Sequence, residues 1–369
     1  MKLRTKILGG VGAVLAVGIA ALMITLSHES PCPQTPALAA GVESMRAITR
    51  RCYGAPGAVL ALEQVAKPKP GAGEVLIRIH AASVNPYEWH TVTGKPYFMR
   101  LGSGLGAPQG SRVGYDMAGT IEAVGAGVKR FKAGDEVFGG APGALAEFAV
   151  AGEDGDVVLK PAEVSFEDAA ALLIAAGTAL QAVRDYGHVA AGQKVLINGA
   201  SGGVGTYAVQ LAKVFGAEVT AVCSTRNVEL VRSLGADHVI DYTQDNFTDG
   251  QAQYDLIVDN VGNHPYLDLK RVVKPAGAIV TVSGPKDNNF LGPMTRILKQ
   301  KMLAPFIDQR LVFFVANVGT PDLELLAGLL RDGKMKSVID RRYPLEKAGE
   351  ALDYIGSQRA RGKVVVTMD

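Results

Sequence analysis

The stretch QKVLINGASGGVGTYAVQLAK, residues 193–213, constrains this chain more than any other. A short apolar run with β-branched members leads into a cluster of glycines, and an amphipathic run of helical period follows at once. The spacing of Gly199, Gly202 and Gly205 is not the common G-x-G-x-x-G. The setting is nevertheless that of a βαβ unit, because a second strand, EVTAVCS, ends about twenty residues further on. In such a turn Gly202 and Gly203 let the backbone approach a pyrophosphate, and Gly205 allows close helix–sheet packing. The helix start, with Ser201 and Val204 beside it, offers unpaired N–H groups and the positive end of a dipole.

The rest of the chain supports that reading. Residues 45–150 hold short strand candidates between glycine turns (GEVLIRIHAASV, GTIEAVG, DEVFG, LAEFAV) and little helical period. From Ser165 the texture changes. FEDAAALLIAAGTALQAVRDY reads as a helix with Ser165 and Asp168 as a capping pair. Strands apolar on both faces then alternate with amphipathic helices, which indicates an α/β fold with a parallel sheet covered on both sides. Ligands of such sheets lie outside the carboxyl ends of the strands. The residues there are Ser224, Thr225 and Arg226, Asp241 and Tyr242, Asp259, Asn260, Val261 and Gly262, Ser283 and Gly284, and Phe313 and Phe314. The second strand carries no acid at its end, where an NAD site wants one for the ribose hydroxyl. Arg226 stands there instead, suited to a 2′-phosphate, so NADP is expected over NAD.

With 38 basic and 36 acidic residues the formal charge is +2, and no basic stripe stands out, so nucleic acid is not an expected partner. Cys32, Cys52 and Cys223 form no CxxC pair, which suggests neither a disulfide framework nor a cysteine-built zinc site.

The N-terminus differs in kind. Lys2, Arg4 and Lys6 precede Ile7–Leu26, twenty residues without a charge. A helix of that length spans about 30 Å, the hydrocarbon thickness of a bilayer. It is longer than the apolar core of a secretory signal, and an uncleaved membrane anchor is expected, followed by a polar linker from Ser27 to about Glu43. Positive charge stays cytoplasmic, which turns the enzyme domain outward. The cytoplasmic nucleotide pool argues the other way, and Met45 opens a chain that is complete without the anchor.

The chain from Met45 resembles the medium-chain dehydrogenases/reductases, in their zinc-independent quinone oxidoreductase-like branch. The resemblance is carried by ASVNPYEWHTVTG, GYDMAGTIEAVGAGVKRFKAGDEVFG, AAGTALQAV, NGASGGVGTYAVQLAK and RGKVVV. It implies a GroES-like catalytic domain (residues 45–164), a Rossmann domain binding NADP (165–317) and a C-terminal return to the first domain (318–369). Residues 1–44 form the anchor and linker. It also implies cofactor contacts at Thr178 and Lys363, and a homodimer is among the expectations. Where zinc-dependent members carry catalytic ligands this sequence has Asn85, Tyr115 and Ile174, which are poor ligands, so no zinc is expected. The branch pattern Asn-Pro-x-Asp-x-x-x-Arg-x-Gly is met by Asn85, Pro86 and Gly94, with Glu88 in place of the acid and Val92 in place of the arginine. Asn85, Tyr87 and His90 are the candidate catalytic residues, and Tyr97 is a further candidate for lining the substrate site.

The expected activity is NADPH-dependent reduction of a quinone or an electron-poor C=C. Alternatives on the same scaffold are an alcohol dehydrogenase acting on an aldehyde or an enoyl reductase. A different class of answer is a membrane-tethered NADPH-binding sensor with little turnover.

Overall fold

The computed structural model describes residues 17–284 and 288–368. The chain enters as a helix, α1, over residues 17–27. The catalytic domain follows with β1 (Ser44–Arg50), α2 (Pro56–Val59), β2 (Leu60–Ala66), β3 (Glu74–Val84), α3 (Pro86–Thr93), α4 (Arg100–Ser103), β4 (Asp116–Val124), β5 (Glu136–Gly140), β6 (Phe148–Gly152) and β7 (Val157–Leu159). The second unit holds α5 (Phe166–Ala170), α6 (Leu173–Leu180), β8 (Lys194–Asn198), α7 (Gly203–Val214), β9 (Glu218–Cys223), α8 (Val228–Ser233) and β10 (His238–Asp241). It continues with β11 (Tyr254–Asp259), α9 (Tyr266–Val272), β12 (Val273–Thr281), α10 (Met294–Leu303), β13 (Arg310–Phe313) and α11 (Thr320–Arg331). The chain closes with β14 (Ile339–Pro344), α12 (Ala348–Gly356) and β15 (Lys363–Thr367).

The six strands β8 to β13 form one sheet in the order β10-β9-β8-β11-β12-β13, with every pair parallel. The order reverses between β8 and β11, and at that switch point the crossovers leave to opposite faces and open a crevice. The expected α/β architecture, GroES-like plus Rossmann, is borne out. Val195, Leu196 and Ile197 of β8 are buried on both faces because helices cover the sheet on each side. The last strand returns to the first domain. β15 pairs antiparallel with β3, extending the order β14-β15-β3-β4-β5-β7.

Four expectations need correction. The run 166–186 is not one helix. It breaks between α5 and α6, and there the Ile174 N–H donates to the Asp116 carboxylate at 3.4 Å. The transmembrane helix expected over residues 7–26 is not found among the described residues, where no helix is long and apolar enough to cross a membrane. Residues 7–16 of that span lie outside the described residues. The C-terminal end of α1 turns into the protein: Leu26 is buried, and the buried Arg100 donates to the carbonyls of Leu26 and His28.

The polar segment after α1 is pinned rather than a free linker. Ser30 N–H donates to the Gly106 carbonyl at 2.9 Å, and Arg100 pairs with Glu29 at 2.9 Å. Thr35 donates to Glu63, and Cys32 is joined to Cys52 in a disulfide. Spacing alone did not suggest this bond, since the two cysteines are twenty residues apart and meet only because the segment folds back along the catalytic domain.

Candidate functional site

At the switch point β8 ends in Asn198, and Gly199 turns the chain at φ +74°. A Cβ on Gly205 would lie 2.1 Å from the Gly199 carbonyl oxygen, so tight packing of α7 against the strand end requires glycine there. Gly202 is different. A Cβ on it meets nothing nearer than 3.5 Å, and its side faces the open crevice where the first-turn N–H groups of α7 lie, from Gly203, Val204 and Gly205. The loop is tied to the C-terminal return by a bridge between Gly202 and Gly362.

The crevice walls come from neighbouring strand ends. Asn227, just past β9, donates to Ser201 Oγ at 2.9 Å and to Ser224 Oγ at 3.2 Å, while its own Oδ1 is buried without a partner. Asn260, after β11, donates to the Asn198 carbonyl at 3.0 Å and also leaves a buried unpartnered Oδ1. Two orphaned acceptors beside open glycine backbone and a helix N-terminus fit a dinucleotide with amide and hydroxyl donors. Arg226 is exposed and donates to the Arg359 carbonyl at 3.0 Å. Tyr242 and Val261 are exposed on the rim, Thr178 is half-buried in α6, and Ser283 lines a narrow cavity between the domains with His90 and Pro96. Phe314 does not offer its ring to the crevice. It is buried in the sheet core, stacked on Tyr186 at a centroid distance of 4.3 Å.

Two features here escaped the reading of the sequence. The carboxylate of Asp241, at the end of the adjacent strand β10, accepts from Thr225 Oγ1 at 2.5 Å, so an acid does reach the end of the second strand. That carboxylate is held below its usual range, first by the Thr225 hydroxyl, and it also accepts from Thr243 and Gln244. In addition, Arg296 of α10 forms a buried ion pair with Asp259 at 2.6 Å and donates to the carbonyls of Gly262 and His264. This shapes the loop after β11. The motif VDNVG marked the strand end, but no local pattern pointed to its partner 37 residues on.

Across the crevice, α3 starts at Asn85, whose N–H donates to the Glu88 carboxylate at 2.8 Å, with Pro86 in the first turn. Asn85 itself is buried. Its amide nitrogen donates to Asp116 at 3.0 Å, and its amide oxygen accepts from the Lys363 ammonium. Glu88, Asp116 and Lys363 are all buried. Burial, and then the nearby Asp116 charge, push Glu88 up to about 8. Burial likewise raises Asp116 and lowers Lys363, each opposed by the charge of the other. His90 donates from Nδ1 to the Lys95 carbonyl at 2.7 Å and lies edge-on to Trp89, while Tyr87 is exposed.

Residues 71–162 match the family described as "Alcohol dehydrogenase GroES-like domain", and residues 234–366 match "Zinc-binding dehydrogenase". A chloroplast envelope quinone oxidoreductase homolog of Arabidopsis thaliana is 36% identical, over 87% of this chain and 98% of that relative. The chain is a medium-chain dehydrogenase/reductase. The mitochondrial NAD(P)H oxidoreductase RTN4IP1 of Bos taurus is 36% identical over 80% of this chain and 82% of its own length. The solved quinone oxidoreductase from Coxiella burnetii superposes with a TM-score of 0.77 at 30% identity, covering 89% of this chain and all of that one.

In this medium-chain dehydrogenase/reductase the positions that hold zinc elsewhere in the superfamily do not fit the metal. Asn85 is committed to Asp116 and Lys363. The Tyr115 hydroxyl donates to Asp156 at 3.1 Å, and burial with the Asp156 charge pushes it up to about 12. Ile174 offers an aliphatic side chain. Among the described residues no three His, Cys, Asp or Glu side chains converge as a ligand set. The departure at Val92 also has a physical reason: the side chain is wholly buried in the catalytic-domain core, where an arginine would find no water.

Proposed function

We propose that this oxidoreductase is an NADPH-dependent, zinc-independent reductase of a quinone or an activated C=C. The observation that carries the reading is the wall opposite the glycine loop. Its amide, phenol and imidazole groups are those of Asn85, Tyr115 and His90, and among the described residues it holds no set of metal ligands. When bound in the crevice, a reduced nicotinamide dinucleotide would supply the hydride. The chain's own residues do the rest. Gly202 and the start of α7 would hold the pyrophosphate, and Asn260 and Asn227 would offer acceptors to the dinucleotide. The cavity between His90, Pro96 and Ser283 orients substrate and excludes water.

Asn85, with both amide ends committed, serves as a positioning group. His90, its Nδ1–H held by the Lys95 carbonyl, is one candidate proton source. The exposed Tyr87 and bulk water are the other proton sources, and a reduced quinone accepts late protons from solvent. NADPH preference rests on Arg226 and Ser224 together with an Asp241 carboxylate already occupied by Thr225, Thr243 and Gln244. Steady-state NADPH oxidation by the full chain with simple quinones, enones and aldehydes tests the reading. Tight NADPH binding without turnover on any of them overturns it in favour of a sensor.

We further infer that the apolar run from Ile7, up to the point where Leu26 packs against the protein, attaches the chain to a membrane, with the enzyme domain on the outward side. Two features support the side: the basic residues before the apolar run, and a disulfide of a kind that persists in oxidising compartments. Protease digestion of intact spheroplasts decides it, since complete protection of the domain refutes the outward side. The edge strand β13, open on one side among the described residues, is the feature that supports a homodimer. Sedimentation of the detergent-solubilised chain tests that.

A further inference from the structure

Helix α10 is inverted. A surface helix of a soluble protein buries its apolar stripe and exposes its polar one. Here the buried residues are Arg296, paired with Asp259, and Gln300, which accepts from the Tyr266 hydroxyl at 2.9 Å. The outward row is Met294, Leu298 and Met302, at successive i+4 positions, with Leu298 61% and Met302 65% exposed. Leu291 just before the helix and Phe306 just after it, the latter 78% exposed, lengthen the row. At 100° per residue Lys301 and Lys299 fall on either side of it, and both are exposed.

The loop before α10 is linked through the catalytic domain to the N-terminal segment. The backbone N–H groups of Tyr97 and Phe98 donate to the carbonyls of Asn289 and Phe290, and the Tyr97 ring lies edge-on to Phe290 at 5.1 Å. Arg100 stacks on Tyr97 at 4.5 Å and holds the end of α1, whose Val17, Ile19 and Ile24 are exposed. The sixteen residues before Val17 include the three basic residues and the remainder of the apolar run. The loop that starts α10, with Asn288, Gly292 and Pro293, also lines the cavity between the domains.

We propose that the outward face of α10 docks on an anionic lipid bilayer, beside the N-terminal apolar run, and so sets the mouth of the substrate cleft at the lipid surface. An apolar row flanked by lysines is the pattern of a helix lying in the interface plane, with the cations meeting headgroup phosphates. An apolar row of this length on the surface of a soluble monomer needs a partner, and the adjoining apolar chain supplies the reason for lipid. Resting on the reductase reading, the substrate class follows: a quinone or enone with an apolar tail, taken from the bilayer rather than from water.

The test uses the full chain reconstituted in phosphatidylcholine–phosphatidylglycerol vesicles. Phe306→Trp is expected to lose about twofold or more of its added emission when the lipid is dibrominated phosphatidylcholine, and to be shielded from iodide. Adding Leu298→Glu and Met302→Glu should abolish that quenching. It should lower turnover of a lipid-embedded quinone about tenfold and leave turnover of a short water-soluble quinone unchanged. A tryptophan open to iodide and unaffected by bromolipid overturns the docking. So does a detergent-stable dimer that Leu298→Glu dissociates, which would make the face an interface between copies. Quenching is read without catalysis. Quenching with no turnover on any quinone therefore defeats the reductase reading and leaves the docking standing, while turnover without quenching does the reverse.

Discussion

The Lys363 ammonium donates to the side-chain oxygen of Asn85, 278 residues earlier in the chain. Lys363 opens β15 one residue after Gly362, which is bridged to Gly202 of the glycine loop. One buried side chain thus connects the strand that touches the glycine loop with the residue that starts α3. Asp116, 3.8 Å from the ammonium, supplies the compensating charge.

Breaking this pair from one side should be costly. Lys363→Met leaves Asp116 buried and unpaired, and a loss of about 3–5 kcal/mol is expected in urea unfolding. Combining it with Asp116→Asn should restore most of that loss, because the uncompensated charge is gone. Additive losses in the double variant would show that the two groups do not act as a pair.

Glu88 sets a pH dependence. Its folded-state pKa of about 8 lies above the ordinary 4.5, so the stability it contributes is complete below pH 4.5 and is lost as pH rises through 8. Glu88→Gln removes this titration. The stability of the variant relative to wild type should therefore rise across that window, by a few kcal/mol at most, about 5 in the limit of the full shift. Urea midpoints measured at several pH values for both proteins check the sign.

The glycines of the loop should separate. Gly205→Ala sets a Cβ against the Gly199 carbonyl and should cost about 1–3 kcal/mol of stability. Gly202→Val has room and an extended backbone at φ −84° and ψ 177°, so it should fold. The valine then occupies the space of the pyrophosphate, and NADPH binding should weaken about tenfold or more, worth at least 1.4 kcal/mol. Fluorescence titration alongside thermal unfolding distinguishes the two.

Arg226→Ala should weaken NADPH binding more than tenfold, the equivalent of about 1.5–3 kcal/mol for a charge-assisted bond, and leave NADH nearly unchanged. Equal losses for both cofactors would remove the 2′-phosphate assignment.

The Cys32–Cys52 bond should be found in protein isolated from its native compartment. Under denaturing, non-reducing conditions only Cys223 should alkylate, and in the native protein it should react slowly, because burial pushes that thiol up to about 11. Cys32→Ser should loosen the segment between α1 and β1, with a stability loss of about 3 kcal/mol on chain-entropy grounds. Proteolysis near residue 36 reports the loosening directly.

The sequence by itself determined what short-range pattern can encode. Strands apolar on both faces demanded a covered parallel sheet. Gly199, Gly202 and Gly205 between a strand and a helix marked the turn, and Ser165 with Asp168 marked the start of α5, where Ser165 Oγ accepts from the Asp168 N–H at 3.1 Å. Each of these signals lies within a few residues of the structure it specifies, because backbone sterics and side-chain period act at that range.

Tertiary structure decided the rest. Asp241 reaches Thr225 only because β10 lies parallel beside β9, and Lys363 reaches Asn85 only because β15 returns to β3. Cys32 meets Cys52 because Arg100 draws the chain after α1 against the catalytic domain. Phe314 reads as a crevice residue in the sequence, yet its ring turns into the core against Tyr186. In MTRILKQKML the apolar row faces outward, since the inner side is claimed by the Arg296–Asp259 pair. Period marks which residues share a face, but which face is buried depends on the charges and rings the fold brings to it.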